Sequence, residues 1–345
     1  MIRLFSDPHD YGEHVKLGRF LIPAASLVVL LLVWAAPLTQ ARTWPGIAFV
    51  VAADRPITLV FAVVSVVAFA TCILLRRFRR GAIILGIVCL VGTAMFGLRV
   101  IAQGAADGEA SPANAEFYGM AWNARGEDVS DVANAVGPTF HGQDRAVVVL
   151  PETPWKLGEE VADILRADGH DVVAFAPDWT ATSIIMTRAL VDDGQYKVDE
   201  RTPPWAGLAL IPTTPSSQTP IIVGTHIQQP SPSATDTWQE HIDWVNEMCS
   251  RSPWVVVLGD MNSTLNNLGG DQLGDCSDVA AANNAGSSPT WPTTLPPFLG
   301  ASIDRFLVGK GYTAAEATWK VDRSLQIRQT DHWPIKVSIP PIDRR

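Results

Sequence analysis

The chain has 345 residues, enough for one large domain and a further segment, and its charges are unevenly distributed. Residues 1–104 contain 10 Lys and Arg against 4 Asp and Glu, whereas residues 105–345 contain 16 basic and 31 acidic residues, a formal net charge of −15. A protein that grips long nucleic acid without sequence preference normally has a basic face, because neutralising phosphates supplies most of that affinity. The composition therefore disfavours nucleic acid as the substrate, although bound divalent cations would offset part of the charge.

Three apolar stretches near the N-terminus predict transmembrane helices. Residues 20–38, 57–75 and 81–101 are nearly free of charge, and each is close to the ~20 apolar residues that cross a bilayer. A signal peptide is the alternative for the first stretch, but two further stretches follow it and no clean cleavage site does. We therefore predict a membrane domain over residues 1–104 with three transmembrane helices.

Basic residues beside these stretches predict the orientation of the chain. Four arginines lie within residues 76–80, between the second and third stretches, and Arg3, Lys16 and Arg19 precede the first, whereas the loop between the first two stretches has Arg42 and Arg55. Because cytoplasmic loops are enriched in Lys and Arg, the N-terminus and the arginine turn are expected in the cytoplasm. Three crossings then place the rest of the chain on the extracytoplasmic side of the cell membrane.

A short polar linker over residues 105–116 is expected to precede a separate domain over 117–345. In that domain, apolar strand candidates alternate with helical patterns. The strand candidates are 117–122, 146–150, 171–175, 182–187, 207–211, 220–225, 254–258, 303–308 and 335–339, and the helical patterns are 128–136, 158–168 and 235–248. This mixture predicts an α/β fold, a layered β-sandwich flanked by helices, rather than an all-β fold.

Four cysteines occur in the chain. Cys72 and Cys89 lie within predicted membrane helices, where a small apolar side chain is the ordinary explanation. Cys249 and Cys276 flank the strand candidate 254–258 and would lie in an oxidising compartment, which predicts a disulfide between them. Two free thiols are the alternative.

Polar motifs follow several of the apolar runs directly. Glu152 follows 146–150, His226 follows 220–225, and Asp260 and Asn262 follow 254–258. Buried strands of this kind deliver carboxylates, imidazoles and amides to one rim of a sheet, where water and a cation can reach them. This layout predicts a metal-dependent phosphoesterase.

The order of the motifs resembles the endonuclease/exonuclease/phosphatase superfamily. The motifs are Trp122-Asn123, Glu152, Thr225-His226, Gly259-Asp260-Met261-Asn262, Ser302-Ile303-Asp304 and Thr330-Asp331-His332-Trp333-Pro334. Each occurs by chance when alone, whereas six in this order and strand context are specific. The resemblance covers about the C-terminal two thirds of the chain and implies a hydrolase such as a deoxyribonuclease, an abasic-site endonuclease, an inositol polyphosphate 5-phosphatase or a neutral sphingomyelinase.

The chemistry of the residues assigns a metal site. Glu152 and Asp331 offer hard oxygen ligands suited to Mg²⁺ or Mn²⁺, and Asn123 and Asp260 are further candidate ligands. Asn123 and Asn262 are also expected to donate amide N–H groups to phosphate oxygens or to the ligands. Asp260 is a candidate either for aligning a nucleophilic water or for holding a second cation.

The catalytic candidates include two histidines. His332 is expected to act as the general base for water, and the resemblance implies that Asp304 orients its imidazole. His226 is expected to contact phosphate or to protonate the leaving oxygen. Isolated residues of these types are more often turn or loop residues, and the accompanying motifs remove that default here.

Several residues outside the motifs remain open. Arg188 is expected either to reach toward phosphate or to be a surface cation, and His141, His170 and His241 lack a motif and are expected to be structural. Trp205, Trp291 and Trp333 are expected in core or surface contacts, with lipid or the site as the alternative. The short segment between Glu152 and His226 departs from the family and weakens any carry-over of substrate-binding residues.

The favoured function is therefore that of a membrane-anchored, extracytoplasmic phosphoesterase dependent on Mg²⁺ or Mn²⁺. Its expected substrate is a phosphodiester or phosphomonoester, with a lipid head group and membrane lipid as expected partners and nucleic acid less favoured. An extracytoplasmic nuclease is the second candidate. A non-catalytic binding module of a membrane complex is the third, and it is disfavoured because every residue expected in the site is present.

Overall fold

A computed structural model describes residues 23–106, 108–111, 113, 115–325 and 328–342. Arg3, Lys16, Arg19 and residues 20–22 of the first predicted span lie outside the described residues. The described helices are α1 (Pro23–Leu38), α2 (Ile47–Val51), α3 (Asp54–Leu74), α4 (Arg79–Gln103), α5 (Val129–Val136), α6 (Trp155–Ala167), α7 (Arg188–Gly194), α8 (Thr235–Arg251), α9 (Leu265–Leu268) and α10 (Val279–Ala282).

The strands form two mixed sheets. They are β1 (Phe117–Ala121), β2 (Ala146–Leu150), β3 (Val172–Phe175), β4 (Ser183–Thr187), β5 (Lys197–Val198), β6 (Gly207–Ile211), β7 (Ile221–His226), β8 (Val255–Asp260), β9 (Gln272–Leu273), β10 (Cys276–Asp278), β11 (Asp304–Gly309), β12 (Thr318–Val321) and β13 (Ile335–Ile339). The first sheet has the order β12-β13-β1-β2-β4-β3 and the second the order β5-β6-β7-β8-β11-β10-β9.

The chain divides into two compact units. Unit 1 comprises residues 1–36 and 54–99, and unit 2 comprises residues 37–53 and 100–345. In unit 1, α3 and α4 are long and apolar enough to cross a membrane, whereas α1 is a shorter apolar helix. Two of the three predicted spans therefore have the required length and composition, and the third does not within the described residues.

Helices α3 and α4 pack closely through small residues and aromatic rings. A Cβ atom on Gly92 would lie 2.9 Å from the ring of Phe61, and the rings of Phe61 and Phe96 stack with their centroids 6.0 Å apart. The hydroxyl of Ser65 donates to the carbonyl of Gly86 across the pair at 3.0 Å. Small residues that let backbones approach are typical of paired membrane helices.

Unit 2 is a sandwich of two sheets with a helix layer on each outer face. Between the sheets lies a core that includes Val147 and Val149 of β2 and Val256 and Leu258 of β8. Helices α5 and α6 cover the outer face of the first sheet, and α8 covers that of the second. Central strands that are buried on both faces read as continuous apolar runs, which explains why they are predictable from sequence. The predicted layered α/β sandwich is thus confirmed.

All nine predicted strands and all three predicted helical patterns of this unit are present. The strands β5, β9, β10 and β12 have two to four residues each and are missed, as are the short helices α2, α7, α9 and α10. Segments of this length have too few residues to show a period, and pairing with a neighbouring strand determines them instead.

One end of the sandwich gathers the polar motifs, and we call it the site end. Strands β1, β2, β7 and β8 finish there, and β4, β6, β11 and β13 begin there. In the pairing register, Asp304 lies opposite Asp260, Ile335 opposite Ala121 and Ser183 opposite Leu150. Residues that follow or precede these strands in the sequence therefore meet in space.

Two segments outside the sandwich proper attach to loops of the site end. In residues 37–53, the carbonyls of Ala48 and Val51 accept amide hydrogens from Asn267 at 2.7 Å and Asn266 at 2.8 Å, both on α9. In residues 100–106, the carbonyls of Gln103 and Gly104 accept the backbone N–H groups of residues 286 and 287 at 2.9 and 2.8 Å. The predicted linker is likewise bonded at its end, where the N–H of Glu116 donates to Ile339 at 2.8 Å.

The predicted disulfide is present. Cys249 on α8 and Cys276 on β10 are bonded, with their Cα atoms 5.4 Å apart and a sequence separation of 27. Both cysteines are buried in the core beneath α8. The bridge ties the outer helix layer to the strand beside β11, whereas Cys72 and Cys89 are free.

Replacing Cys249 and Cys276 together with serine or alanine is expected to lower the unfolding free energy of unit 2 by about 3–4 kcal/mol, because the bridge restricts the unfolded chain. Chemical or thermal denaturation of the full chain in detergent measures the loss. Thiol labelling of the denatured, unreduced protein should find the two free cysteines, and labelling of all four without reductant would contradict the bridge.

Candidate active site

Asn123 joins the two sheets at the site end. It follows β1 of the first sheet, and its amide Nδ2 donates to Oε1 of Glu152 at 3.0 Å and to Oδ2 of Asp260 at 3.2 Å. Glu152 follows β2 of the first sheet, whereas Asp260 ends β8 of the second. Three residues predicted for the site are therefore in direct contact.

His332 completes this cluster from the loop before β13. Its Nδ1 lies 2.9 Å from Oδ2 of Asp304, the first residue of β11. Its Nε2 lies 3.8 Å from Oδ2 of Asp260 and 3.9 Å from Oδ1 of Asp331. The imidazole is thus bonded to one buried carboxylate through Nδ1 and directs Nε2 toward two others.

Two site residues have left-handed backbone that side chains other than glycine rarely adopt. Glu152 has φ of 53° and Asn262 has φ of 44°. The N–H of Asn262 donates to Oδ1 of Asp260 at 2.8 Å, and its side chain donates to the carbonyl of Ile227 at 2.9 Å. Such backbone costs on the order of 1–3 kcal/mol and tends to occur at functional sites.

Three groups surround the Glu152 carboxylate. Besides Asn123, Nη1 of Arg125 lies 3.2 Å from Oε2 and Nε2 of His226 lies 3.5 Å from Oε1. His226 ends β7, so the second sheet supplies it. Asn262, held by the carbonyl of residue 227, connects this group to Asp260.

Asp331 lies at the outer edge of the site, with its side chain 49% exposed. The indole Nε1 of Trp291 donates to its Oδ2 at 2.7 Å. The preceding Thr330 donates its hydroxyl to the carbonyl of Asn123 at 2.5 Å, and the Glu127 carboxylate accepts the N–H of Thr330 at 2.9 Å. The loop that carries Asp331 and His332 is therefore fixed against the β1 loop.

Burial and charge shift the pKa values of three groups. Burial would lower the pKa of His332, but the carboxylates of Asp304 and Asp260 outweigh it and raise that pKa to about 10. Burial raises the pKa of Asp260, and the nearby His332 opposes the increase. The hydrogen bond from His226 and that from Asn123 lower the pKa of Glu152 to about 2 despite its burial. Glu152 is thus an anion at neutral pH, and His332 is a doubly protonated, cationic imidazole before any metal ion binds.

Two groups of candidate metal ligands are present. Asp260, Asp304 and His332 place ligand atoms within 4.8 Å of one another, but all three are buried, and Asp304 already bonds His332. Glu152 and Asp331 are more accessible, with 25% and 49% of their side chains exposed. We favour the second pair, because its oxygen ligands suit a hard cation and solvent can reach them.

Other residues considered in the sequence have structural positions. Arg188 begins α7 at the end of the sandwich opposite the site end and pairs with Asp171 at 2.8 Å, so the expectation that it reaches toward phosphate is wrong. His241 is buried and accepts the N–H of Gln228 at 3.1 Å. His141 and His170 contact each other, with ring centroids 5.5 Å apart.

Sequence reasoning missed three residues that hold the site together, Arg125, Glu127 and Thr290, and it gave the site only as the alternative for a fourth, Trp291. Arg125 pairs with Glu152, Glu127 holds the Thr330 loop, and Trp291 bonds Asp331. The hydroxyl of Thr290 accepts the N–H groups of residues 303 and 304, each at 3.1 Å. Arg125 and Glu127 lie within four residues of Asn123 and could have been found by that proximity, whereas the position of Thr290 depends on a long loop.

The sequence profile of the endonuclease/exonuclease/phosphatase family matches residues 120–332, which include every residue of the cluster. The chain belongs to this family. Its members are metal-dependent phosphoester hydrolases and nucleases, so the chain is an enzyme of the phosphoric ester hydrolase class. The family resemblance derived from the motifs is confirmed.

Solved structures share the fold at low sequence identity. An AP endonuclease from Leishmania major, LMAP, is 13% identical, with a TM-score of 0.50 over 68% of this chain and 90% of its own. A humanised TDP2 of D. rerio is 17% identical with a TM-score of 0.48, over 65% and 99% of the two chains. The 3′ phosphatase NExo from Neisseria, bound to a product DNA hairpin, is 17% identical with a TM-score of 0.48. The match covers 65% of this chain and 100% of its own. No curated protein sequence matches this chain.

The raised pKa of His332 predicts a pH-dependent stability of the metal-free enzyme. An unfolded histidine titrates near ~6.5, so the stabilisation is fully present below that pH and is lost as the pH rises toward about 10. In chelator, the unfolding temperature of the wild type should therefore fall more steeply between these two pH values than that of His332→Gln.

The control is His141→Gln, which removes an exposed histidine at the opposite end of the sandwich. It should retain the steep decrease of the wild type. Parallel curves for the wild type and His332→Gln would show that the imidazole is not held in its charged form.

Proposed function

We propose that this family member is a membrane-anchored phosphoesterase that acts on the extracytoplasmic side, on a phosphodiester or phosphomonoester, with a lipid head group as the favoured substrate. The observation that carries the catalytic part is the contact of Asn123 with both Glu152 and Asp260, beside the His332–Asp304 pair. These residues come from both sheets and bring amide, carboxylate and imidazole groups together at one point.

The residues present fit a divalent cation. Glu152 and Asp331 would hold Mg²⁺ or Mn²⁺ as hard oxygen ligands, with Asn123 and Asp260 as further candidates. The carboxylates outnumber the cationic groups there, and Oδ1 of Asp304 has no hydrogen-bond partner among the described residues, so positive charge would relieve their repulsion. A bound cation would polarise the phosphoryl oxygen and stabilise the charge that develops on it.

His332 and Asp304 are proposed as the general base and its positioning residue. Donation from Nδ1 to Asp304 at 2.9 Å sets the tautomer, so that Nε2 is the atom that accepts a proton from water. The carboxylates that raise the pKa of His332 favour its protonated form, in which Nε2 cannot accept a proton. Positive charge at the site would lower that pKa and bring it closer to the working pH of a base.

Of the remaining polar groups, Asn262 is proposed to position Asp260, and His226 is proposed to bind the phosphoryl group. Asn262 has its amide fixed between Asp260 and the carbonyl of residue 227. It therefore orients Asp260, which is proposed to align the attacking water. His226, whose Nδ1 has no partner among the described residues, is proposed to contact phosphate or to protonate the leaving oxygen.

The membrane location is proposed from unit 1 and from charge. Helices α3 and α4 have the length and composition of membrane spans, and the turn between them contains Arg76 and Arg77. Residues 37–53 and 100–345 belong to one compact unit although α3 and α4 separate them in the sequence. Both parts must then lie on one side of a membrane, which two crossings by α3 and α4 provide. Because the arginine turn is expected in the cytoplasm, this unit is proposed to lie on the opposite, extracytoplasmic side.

An extracytoplasmic nuclease is the second candidate. The family includes nucleases, and the fold is shared with an AP endonuclease. The net charge of −15 over residues 105–345 weighs against long polyanionic substrates. The proposed function therefore favours a small or lipid-linked phosphoester.

The function is tested with the purified full chain in detergent and Mg²⁺ or Mn²⁺. The substrates are phosphatidylinositol phosphates, sphingomyelin, an aryl phosphodiester and plasmid DNA. Metal-dependent hydrolysis of a lipid or aryl ester that exceeds DNA cleavage is expected. Efficient DNA digestion at modest salt without hydrolysis of any lipid ester would make the nuclease the correct function.

The metal assignment predicts the behaviour of Glu152→Gln. Removing the charge of a proposed ligand should weaken Mn²⁺ binding by about 10–100-fold and lower hydrolysis, while thermal unfolding of the metal-free protein shows a folded chain. Calorimetric titration with Mn²⁺ measures the affinity. Glu160→Gln, an exposed change on α6, is the matched control, and equal Mn²⁺ binding by both variants would exclude Glu152 as a ligand.

The base assignment predicts non-additive losses. His332→Ala and Asp304→Asn should each lower the turnover number by about 10²–10⁴-fold, and the double variant should lose little more, because the two residues act as a unit. Single-turnover rates on an aryl phosphodiester measure the cycle. Losses that multiply fully in the double variant would show that Asp304 acts independently of His332.

A further inference from the structure

The exposed large apolar side chains of the sandwich lie at the site end. Four are tryptophans, Trp155, Trp179, Trp205 and Trp291, which we call the tryptophan rim. The other three are Leu157 on α6 beside Trp155, and Leu295 and Phe298 in the loop after Trp291. Among the described residues from 115 onward, these seven are all the large apolar side chains exposed by more than about a third.

Three of the rim tryptophans adjoin or bond a residue of the active site or its immediate partner, and the fourth, Trp179, lies beside the start of β6. Trp291 bonds Asp331 directly, and Trp155 begins α6 three residues after Glu152. Trp205 precedes Ala206, whose carbonyl accepts the N–H of His226 at 2.9 Å. Trp179 precedes a threonine whose hydroxyl donates to Gly207 at 2.9 Å, at the start of β6. The rim therefore lies at the same end of the sandwich as the active site.

Trp205 combines a strained backbone conformation with an exposed side chain. Its φ is 65°, in the left-handed region that a bulky residue rarely adopts, and its side chain is 61% exposed. Strained backbone that presents an aromatic ring to solvent lowers stability without any gain from packing. A contact with a partner surface would supply that gain.

The opposite end of the sandwich has a different character. Its loops include His141, Asp144 and Asp171, all exposed, and Lys310 paired with Asp275 at 2.7 Å. No large apolar side chain is exposed in the described loops of that end. The two ends therefore differ in the kind of surface that they offer.

The segments that lead into the apolar helices attach to the site end as well. Residues 37–53 bond α9, which begins three residues after Asn262, and residues 100–106 bond the loop before Thr290. Within residues 37–53, Trp44 and Phe49 are 59% and 66% exposed. The points at which the chain enters and leaves α3 and α4 thus lie on the same end of the domain as the active site.

We propose that the site end is an interfacial docking surface, on which the tryptophan rim rests at the lipid–water boundary of the membrane that α3 and α4 enter. Tryptophan is favoured at that boundary, and a bilayer offers the apolar contact that the rim lacks. This inference rests on the proposed function and deepens it, because the substrate is then a phosphoester presented by the bilayer beneath the active site. An acidic domain anchored in this way is repelled less by a lipid surface with few net charges than by nucleic acid.

Docking is tested without catalysis by photolabelling. The full chain is reconstituted in phosphatidylcholine vesicles that contain a phospholipid with a photoreactive group near its glycerol, and labelled peptides are identified by mass spectrometry. Labels on the peptides that contain Trp155, Trp205 and residues 291–298 are expected, with none on the peptide that contains Lys310. Labels confined to α1, α3 and α4 would overturn the proposal.

Variants test the consequence for activity. Trp205→Ser and Trp179→Ser should each lower hydrolysis of a vesicle-borne phosphoester by about tenfold, while hydrolysis of a soluble aryl phosphodiester stays within about twofold of the wild type. Lys310→Ser, at the opposite end, should leave both rates unchanged. Equal losses on both substrates would show that the tryptophans support the fold or the site rather than docking.

The outcomes separate the two proposals. If the wild type hydrolyses no phosphoester, the proposed function fails, yet the photolabels still decide whether the rim meets lipid. If the rim remains unlabelled and an oligonucleotide quenches its fluorescence instead, the surface binds nucleic acid and the docking proposal is wrong.

Discussion

The structure depends on how two buried carboxylates are accommodated where the sheets meet. Asp260 and Asp304 are each 1% exposed and lie at opposing positions of neighbouring strands. Burial of like charges is unfavourable unless hydrogen bonds and positive charge offset it. Asn123 and His332 supply those partners from the first sheet. The ends of the two sheets must therefore lie side by side at this point. The carboxylates gathered there give the site an excess of negative charge.

Residues behind the cluster hold the strand that carries Asp304. Arg305, the next residue, is fully buried and pairs with Asp278 at 2.7 Å, and it also donates to the carbonyl of Gly286 at 2.9 Å. A buried ion pair of this kind adds little net stability, but losing one partner is costly. Its geometry fixes the start of β11, and the disulfide fixes β10 beside it. The strand that carries Asp304 is thus held by a buried ion pair and by its disulfide-bonded neighbour β10.

The sequence predicts strands correctly where both faces are buried. It does not predict side-chain positions that depend on contacts between distant parts of the chain. Strands such as β2 and β8 are apolar on both faces, so their ends and the polar residues that follow could be located. Positions that depend on long-range pairing could not: the hydroxyl of Thr290 supports Asp304 across a loop, and Arg188 pairs with Asp171 at the far end of the sandwich.

The domain is acidic, and the segments beside its apolar helices attach to the site end. Substrate must reach a negatively charged site, so long-range electrostatic attraction does not bring a polyanion to it. The segments 37–53 and 100–106 both bond to loops of the site end, and these bonds lie within unit 2.

The most direct test of the catalytic site is a crystal structure of the full chain with Mn²⁺ and inorganic phosphate, in which anomalous scattering locates the metal. A peak beside the Glu152 and Asp331 carboxylates, with phosphate near Asn262 and His226, is the predicted result. A peak among Asp260, Asp304 and His332 instead, or no metal at the site end, would contradict the assignment of ligands and base.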